Sequence, residues 1–155
     1  MKTTHYTLKN YTMDESVGFL LKQAAGVIEK RLAAELRKKC PESTTAQWVI
    51  LMLVGNGKCR TAAELSEAMS TDMGSVTRML DRLETKGLVK RTRSTKDRRL
   101  VDLSLTEAGE ELFPHLPEAS INALNALLGG FTKDEVGELK ALLRRLIEAG
   151  NSCDG

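Results

Sequence analysis

The stretch TKDRRLVDLSLTEAG, Thr95 to Gly109, decides the fold. Four of its first five residues are charged. Val101, Leu103 and Leu105 then alternate with Asp102 and Ser104, the period-two pattern of a half-buried strand. Thr106 follows at once, a residue suited to start a helix. The chain thus carries a charged tip on a short strand that runs directly into a helix.

Upstream, Leu88 to Arg93 reads as the partner strand. The segment joining it to the strand Leu100–Leu105 is too long for a tight two-residue turn. Before Leu88 the apolar period is helical. Asp72 is the expected cap of a helix in which Val76, Met79, Leu80 and Leu83 face inward. Gly87 ends that helix where a left-handed residue is wanted.

Four segments begin with Ser/Thr-x-x-Glu/Gln, the capping box: Thr12–Glu15, Thr44–Gln47, Thr61–Glu64 and Thr132–Glu135. Each precedes apolar residues at helical spacing. The first helix is expected from Thr12 to about Lys39, with Pro41 as its stop. The second carries Trp48, Leu51 and Met52 and ends at the Gly55–Gly57 turn, and a short third helix carries Leu65 and Met69. After the hairpin, a helix from Thr106 is expected to kink or break at Pro114 and Pro117, then to continue its stripe through Ile121, Leu124, Leu127 and Leu128. Thr132 opens the last helix, with Val136, Leu139, Leu142, Leu143, Leu146 and Ile147.

The expected class is mainly α with a small β-hairpin. The short third helix, the connection at 70–72 and the fourth helix form a helix-turn-helix pair, and the hairpin behind it is a wing. In such a module the second helix of the pair enters the major groove. With its apolar residues turned inward, Ser75, Thr77, Arg78 and Arg82 fall on the outer face, and Gly74 leaves room for close approach. Hydroxyl and guanidinium groups bond to phosphates and base edges alike.

The charge distribution agrees. The chain has 23 basic and 21 acidic residues, net +2. From Arg78 to Arg99 there are nine basic residues against Asp81, Glu84 and Asp97, which makes +6; the other 14 basic and 18 acidic residues make −4. A positive segment with this shape fits a polyanion.

Other classes find little support. At 155 residues, 41% hydrophobic and 28% charged, the composition is that of one globular domain. No apolar run approaches the roughly 18 residues that span a bilayer. The N-terminus lacks the apolar centre of a signal peptide, so a cytoplasmic protein without membrane partners is expected. Cys40, Cys59 and Cys153 are odd in number and form no C-x-x-C pair, and His5 and His115 lack metal-ligand spacing. No nucleophile or acid–base pair is evident, so no catalytic residues, metal or cofactor are expected.

The run VTRMLDRLETKGLVKRTRSTKDRRLVDLSLTEAGEEL resembles the MarR family of winged-helix transcription regulators. The carrying motifs are D-x-R at Asp97–Arg99, L-T-x-x-G at Leu105–Gly109 and L-x-x-x-G-L-V-x-R from Leu83 to Arg91. The match is sharpest over residues 60–112. The resemblance implies a homodimer binding double-stranded DNA at a pseudo-palindrome. Residues 12–40 and 106–150 would supply dimerisation helices and 44–105 the DNA-binding lobe. It also implies that Arg99 enters the minor groove, that Asp97 braces it, and that Arg98 lies near phosphate. A guanidinium gains from the negative potential of a narrow minor groove. Ser75, Thr77 and Arg78 match the recognition-helix positions less sharply.

Family members commonly release DNA on binding a phenolic or aromatic carboxylate. Phe19 and Gln23 on the first helix and Trp48 and Met52 on the second are the candidate ligand residues, although Trp48 and Met52 at i, i+4 also suit a core. Arg37, Lys22 or His5 would supply a cation. The alternatives are a redox sensor and a winged-helix module for protein contacts. For the first, Cys59 between Lys58 and Arg60 has a setting that lowers a thiol pKa, and Cys40 closes the first helix.

Overall fold

The computed structural model describes residues 3–39, 43–95, 97 and 99–152. Cys40, Arg98 and Cys153 lie outside the described residues. The elements are α1 (Val17–Lys39), α2 (Thr45–Gly55), α3 (Ala62–Ala68), α4 (Met73–Thr85), β1 (Val89–Arg93), β2 (Val101–Leu105), α5 (Glu107–Leu112), a 3-10 turn (Phe113–His115), α6 (Leu116–Leu128) and α7 (Lys133–Asn151). The class is mainly α with one antiparallel hairpin, as expected.

The four capping boxes fare differently. Those at Thr61 and Thr132 form completely, each Thr hydroxyl accepting from the N3 backbone while the Glu accepts from the cap. At Thr44 only half forms: the hydroxyl accepts from Gln47 N–H, but the Gln47 side chain accepts from Lys86 Nζ at 3.2 Å instead. The Thr12 box does not open a helix, since residues 12–16 make turns and α1 starts at Val17. The Val17 N–H donates to the Tyr6 hydroxyl at 3.0 Å, and Phe19 N–H to Ser16 Oγ at 3.3 Å. Competing local partners thus move the start five residues along.

Helix ends follow the glycines where a left-handed residue is needed. Gly87 has φ of 68°, with Gly87 N–H donating to Glu84 O and Leu88 N–H to Leu83 O. This doubly bonded cap turns the chain from α4 straight into β1. Pro114 falls in the 3-10 turn that separates α5 from α6, the break expected there, and Pro117 sits in the first turn of α6, where its missing N–H costs nothing.

Two clusters hold the chain together. The larger joins α2, α3, α4 and the hairpin through Ile50, Leu51, Leu65, Val76, Leu80, Leu83, Val89, Leu103 and Leu105, with Leu116 from α6. The smaller packs Leu32 and Leu36 of α1 on Ala119 and Ala123 of α6, with Trp48 beside them. Alanines rather than the leucine stripe therefore face α1, because small residues let two helices approach closely. Ile121 and Leu124 point outward, as do Leu139, Leu142, Leu146 and Ile147; no residue of α7 is buried.

Candidate nucleic-acid interface

The N-terminus of α4 is organised by Asp72. Its carboxylate accepts the Ser75 N–H at 2.9 Å and the Ser75 hydroxyl at 2.7 Å. These bonds, the hydroxyl's first, hold the Asp72 pKa below the ordinary carboxylate value. Ser75 Oγ in turn accepts from Arg78 Nη2 at 2.9 Å. A Cβ on Gly74 would lie 3.2 Å from Asp72 Oδ1, so the glycine leaves room for the capping carboxylate. Thr77, Arg78 and Arg82 are exposed, as the helical period required, while Ser75 is half-buried and committed to its neighbours. Met73, the first residue of α4, is 47% exposed. It has the chemistry to contact a thymine methyl, and sequence periodicity missed it because the apolar stripe starts at Val76.

β1 and β2 pair from Val89↔Leu105 to Arg93↔Val101. Leu103 and Leu105 are buried, but Val101 and Leu100 are nearly half exposed. The apolar alternation therefore extends past the buried part of β2, because the hairpin outruns the core beneath it. Arg60 O also accepts from Leu103 N–H at 2.7 Å, tying the segment before α3 to β2. In the tip, Asp97 accepts the backbone N–H of Arg99 at 2.9 Å, and its carbonyl accepts from Leu100 N–H at 2.9 Å. Among the described residues the carboxylate is not ion-paired with the Arg99 guanidinium. Asp97 thus shapes the backbone that carries Arg99, and both side chains are exposed.

Arg91 departs from the charge count. Its guanidinium reaches Asp81 at 2.6 Å and Glu84 at 2.7 Å. Burial opposes its charge, but the two carboxylates outweigh that and raise its pKa. Arg91 with Asp81 and Glu84 carries a net −1, so the segment from Arg78 to Arg99 keeps its +6. Cationic side chains on the α4 face and at the wing tip have the chemistry that suits nucleic acid.

Comparison with known proteins decides the family. The MarR family model matches residues 44–101. The multiple antibiotic resistance protein MarR of Escherichia coli is 35% identical over 67% of this chain and 73% of its own length. The HTH-type transcriptional repressor MdtR of Bacillus subtilis is 32% identical over 70% of each. The chain belongs to the MarR family. It is a DNA-binding transcriptional regulator and not an enzyme. The structure of a mutant E. coli MarR complexed with operator DNA superposes with a TM-score of 0.76 at 29% identity, over 88% of this chain and 99% of that one. Bordetella bronchiseptica BpsR, described by regulation of its DNA binding by 6-hydroxynicotinic acid, gives 0.72 at 25% identity, over 88% and 96%.

The MarR motifs prove to be two halves of one junction. Thr106 of L-T-x-x-G donates its N–H to Leu88 O at 3.1 Å and its hydroxyl to Gly87 O, while accepting Gly109 N–H at 3.1 Å. A Cβ on Gly109 would collide with the Leu88 carbonyl. The glycine of one motif thus exists to let α5 lie on the Gly-Leu of the other.

The four ligand candidates do not come together within the chain. Phe19 and Gln23 line an open groove of about 570 Å³ whose other walls are Lys22, Gly26, Val27 and Lys30, all on α1. Trp48 lies far along that helix near Leu36, some 17 residues and about 25 Å away at helical rise. Its Nε1 donates to Leu116 O at 2.9 Å, and Met52 packs on the large core, so both serve packing. The thiol expectation for Cys59 is overturned. The side chain is buried at 4% exposure, and burial followed by Glu64 and Glu67 pushes its pKa up. Its basic sequence neighbours Lys58 and Arg60 are exposed and do not lower it. Among the described residues no group of His, Cys, Asp and Glu is arranged to hold a metal, and no helix is long and apolar enough to cross a membrane.

Proposed function

We propose that this regulator binds a pseudo-palindromic operator as a homodimer, acts as a repressor, and is released by a small aromatic carboxylate or phenol. The observation that carries the DNA reading is the pairing of the α4 face, Thr77, Arg78 and Arg82, with the wing tip at Arg99. Ser75 supports Arg78, and Asp97 supports Arg99. Arg98 shares the tip in sequence.

The dimer reading is supported by the apolar stripes of α1, α6 and α7. Val27, Ile28, Ile121, Leu142, Leu146 and Ile147 are all more than 40% exposed in the single chain. Contiguous apolar surface of that kind seeks a partner. Residues 12–40 and 106–150 would form the dimer and 44–105 the DNA-binding lobe.

Support for the effector comes from BpsR, whose DNA binding is described as regulated by an aromatic acid, and from the α1 groove. There Phe19 offers a ring face, Lys22 and Lys30 offer cations, and Gln23 offers an amide. Release needs the ligand to favour a DNA-incompetent arrangement, and tenfold weaker operator binding corresponds to about 1.4 kcal/mol of coupling. The test is operator anisotropy with a panel of hydroxybenzoates, with Trp48 emission followed alongside. Release and emission change at the same concentrations support the reading. Release by peroxide but by none of the acids contradicts it.

A further inference from the structure

Arg91 stands in the middle of β1 opposite Leu103, yet its side chain leaves the wing for α4. Nη1 donates to Asp81 Oδ1 at 2.6 Å and to Glu84 Oε2 at 2.7 Å, and Nη2 points at the Thr77 carbonyl at 3.4 Å. The side chain is only 27% exposed, and the guanidinium's three contacts span two turns of α4. Further out along β1, Arg93 is exposed, and so are Leu100 and Val101 on the opposing strand. A two-stranded ribbon without a core beneath it is poorly fixed on its own.

We propose that Arg91 is a positioning residue for DNA recognition: a strut that sets the wing's angle against α4, so that Arg99 and Arg78 reach the same duplex together. This rests on the DNA-binding reading of those two surfaces. The lever is short. Asp97 is six residues beyond Arg91, and two of these continue β1, so a rotation at Arg91 is carried toward the tip. The strut also partly offsets two carboxylates on the helix that carries Arg78 and Arg82. Because all three side chains are partly exposed, the ion pairs themselves add little to fold stability. Their consequence is geometric.

The sign of one experiment separates a strut from a phosphate contact. In the double variant Asp81→Asn/Glu84→Gln, Arg91 keeps its charge but loses its anchors. Were Arg91 a phosphate contact, removing two negative charges beside the DNA would tighten binding to every duplex. The strut predicts instead that the preference for operator over random duplex falls about tenfold, with random-duplex affinity unchanged or tighter. The second readout is Arg99→Ala in three backgrounds. In the wild-type background it costs operator affinity about tenfold, and in the double variant or in Arg91→Gln the further loss shrinks to about threefold or less. Equal losses in all three backgrounds overturn the strut. A silent Arg99→Ala in the wild-type background overturns the wing reading itself and the strut with it, so the two failures are told apart. Thermal unfolding of each variant, expected near wild type, shows that the fold is kept; if the double variant does not fold, Arg91→Gln carries the same comparison.

Discussion

The indole Nε1 of Trp48 donates to the carbonyl oxygen of Leu116 at 2.9 Å, joining α2 to the first residue of α6. The ring meanwhile packs against both hydrophobic clusters. One side chain therefore bridges the core of the winged helix and the α1–α6 pair. Trp48→Phe keeps most of the ring and loses the donor, so urea unfolding should show a loss of about 1 kcal/mol. Trp48→Ala should cost about 3 kcal/mol. Equal stability of wild type and Trp48→Phe would show that the hydrogen bond does not tie the two parts.

Gly109→Ala should be more damaging than its chemistry suggests. The new methyl has no space, because the Leu88 carbonyl occupies its position and that carbonyl is already bound by Thr106 N–H. Overpacking against backbone predicts a loss of at least about 1–3 kcal/mol in a denaturant titration. Ala at the exposed Gly130, where a Cβ meets nothing, is the control.

The hairpin and the helix-turn-helix were legible because their signals are local: a change of apolar period at Leu88, a glycine at 87, a capping box at 61 and a cap at Asp72. Arg91 was not. In sequence it is one more cation in a basic run, and only the pairing of β1 with α4 turns it onto Asp81 and Glu84. The same holds for Cys59, whose basic sequence neighbours matter less than burial and the acidic residues of α3. The Thr12 box failed because Tyr6, eleven residues before Val17, supplies the acceptor for the first N–H of α1. That Ala119 and Ala123 of α6 meet α1 was not legible, because counting leucines finds an apolar stripe without telling which neighbour covers it.

Stability should depend on Glu35 in acid. Its carboxylate is buried on α1, bonded by Lys38 Nζ at 2.8 Å and lying 3.4 Å from Arg31. The Lys38 bond first, against the opposing cost of burial, holds its pKa below the ordinary 4.5. A carboxylate lowered in the folded state stabilises above its ordinary pKa and loses that contribution as pH falls through the folded value. Glu35→Gln should therefore be less stable than wild type at pH 7, with the gap narrowing as pH falls below about 4.5. A gap independent of pH would place the effect in packing alone.

Removal of α7 by truncation after Gly130 should give aggregated or unfolded protein. The stripes of α1 and α6 are exposed in the single chain, and in the proposed dimer the partner's helices, its α7 among them, would cover them. A soluble, folded monomer by light scattering would contradict the dimer reading.

In the proposed complex the α4 face and the wing tip read one duplex together. Anisotropy titrations of an operator selected from random duplexes, repeated across a salt series, test it most directly. Arg78→Ala and Arg99→Ala should each weaken operator binding by about 1–3 kcal/mol and flatten the salt slope by about one unit, with the protein still folded. If both variants bind the operator as tightly as wild type with the same slope, these surfaces are not the DNA interface.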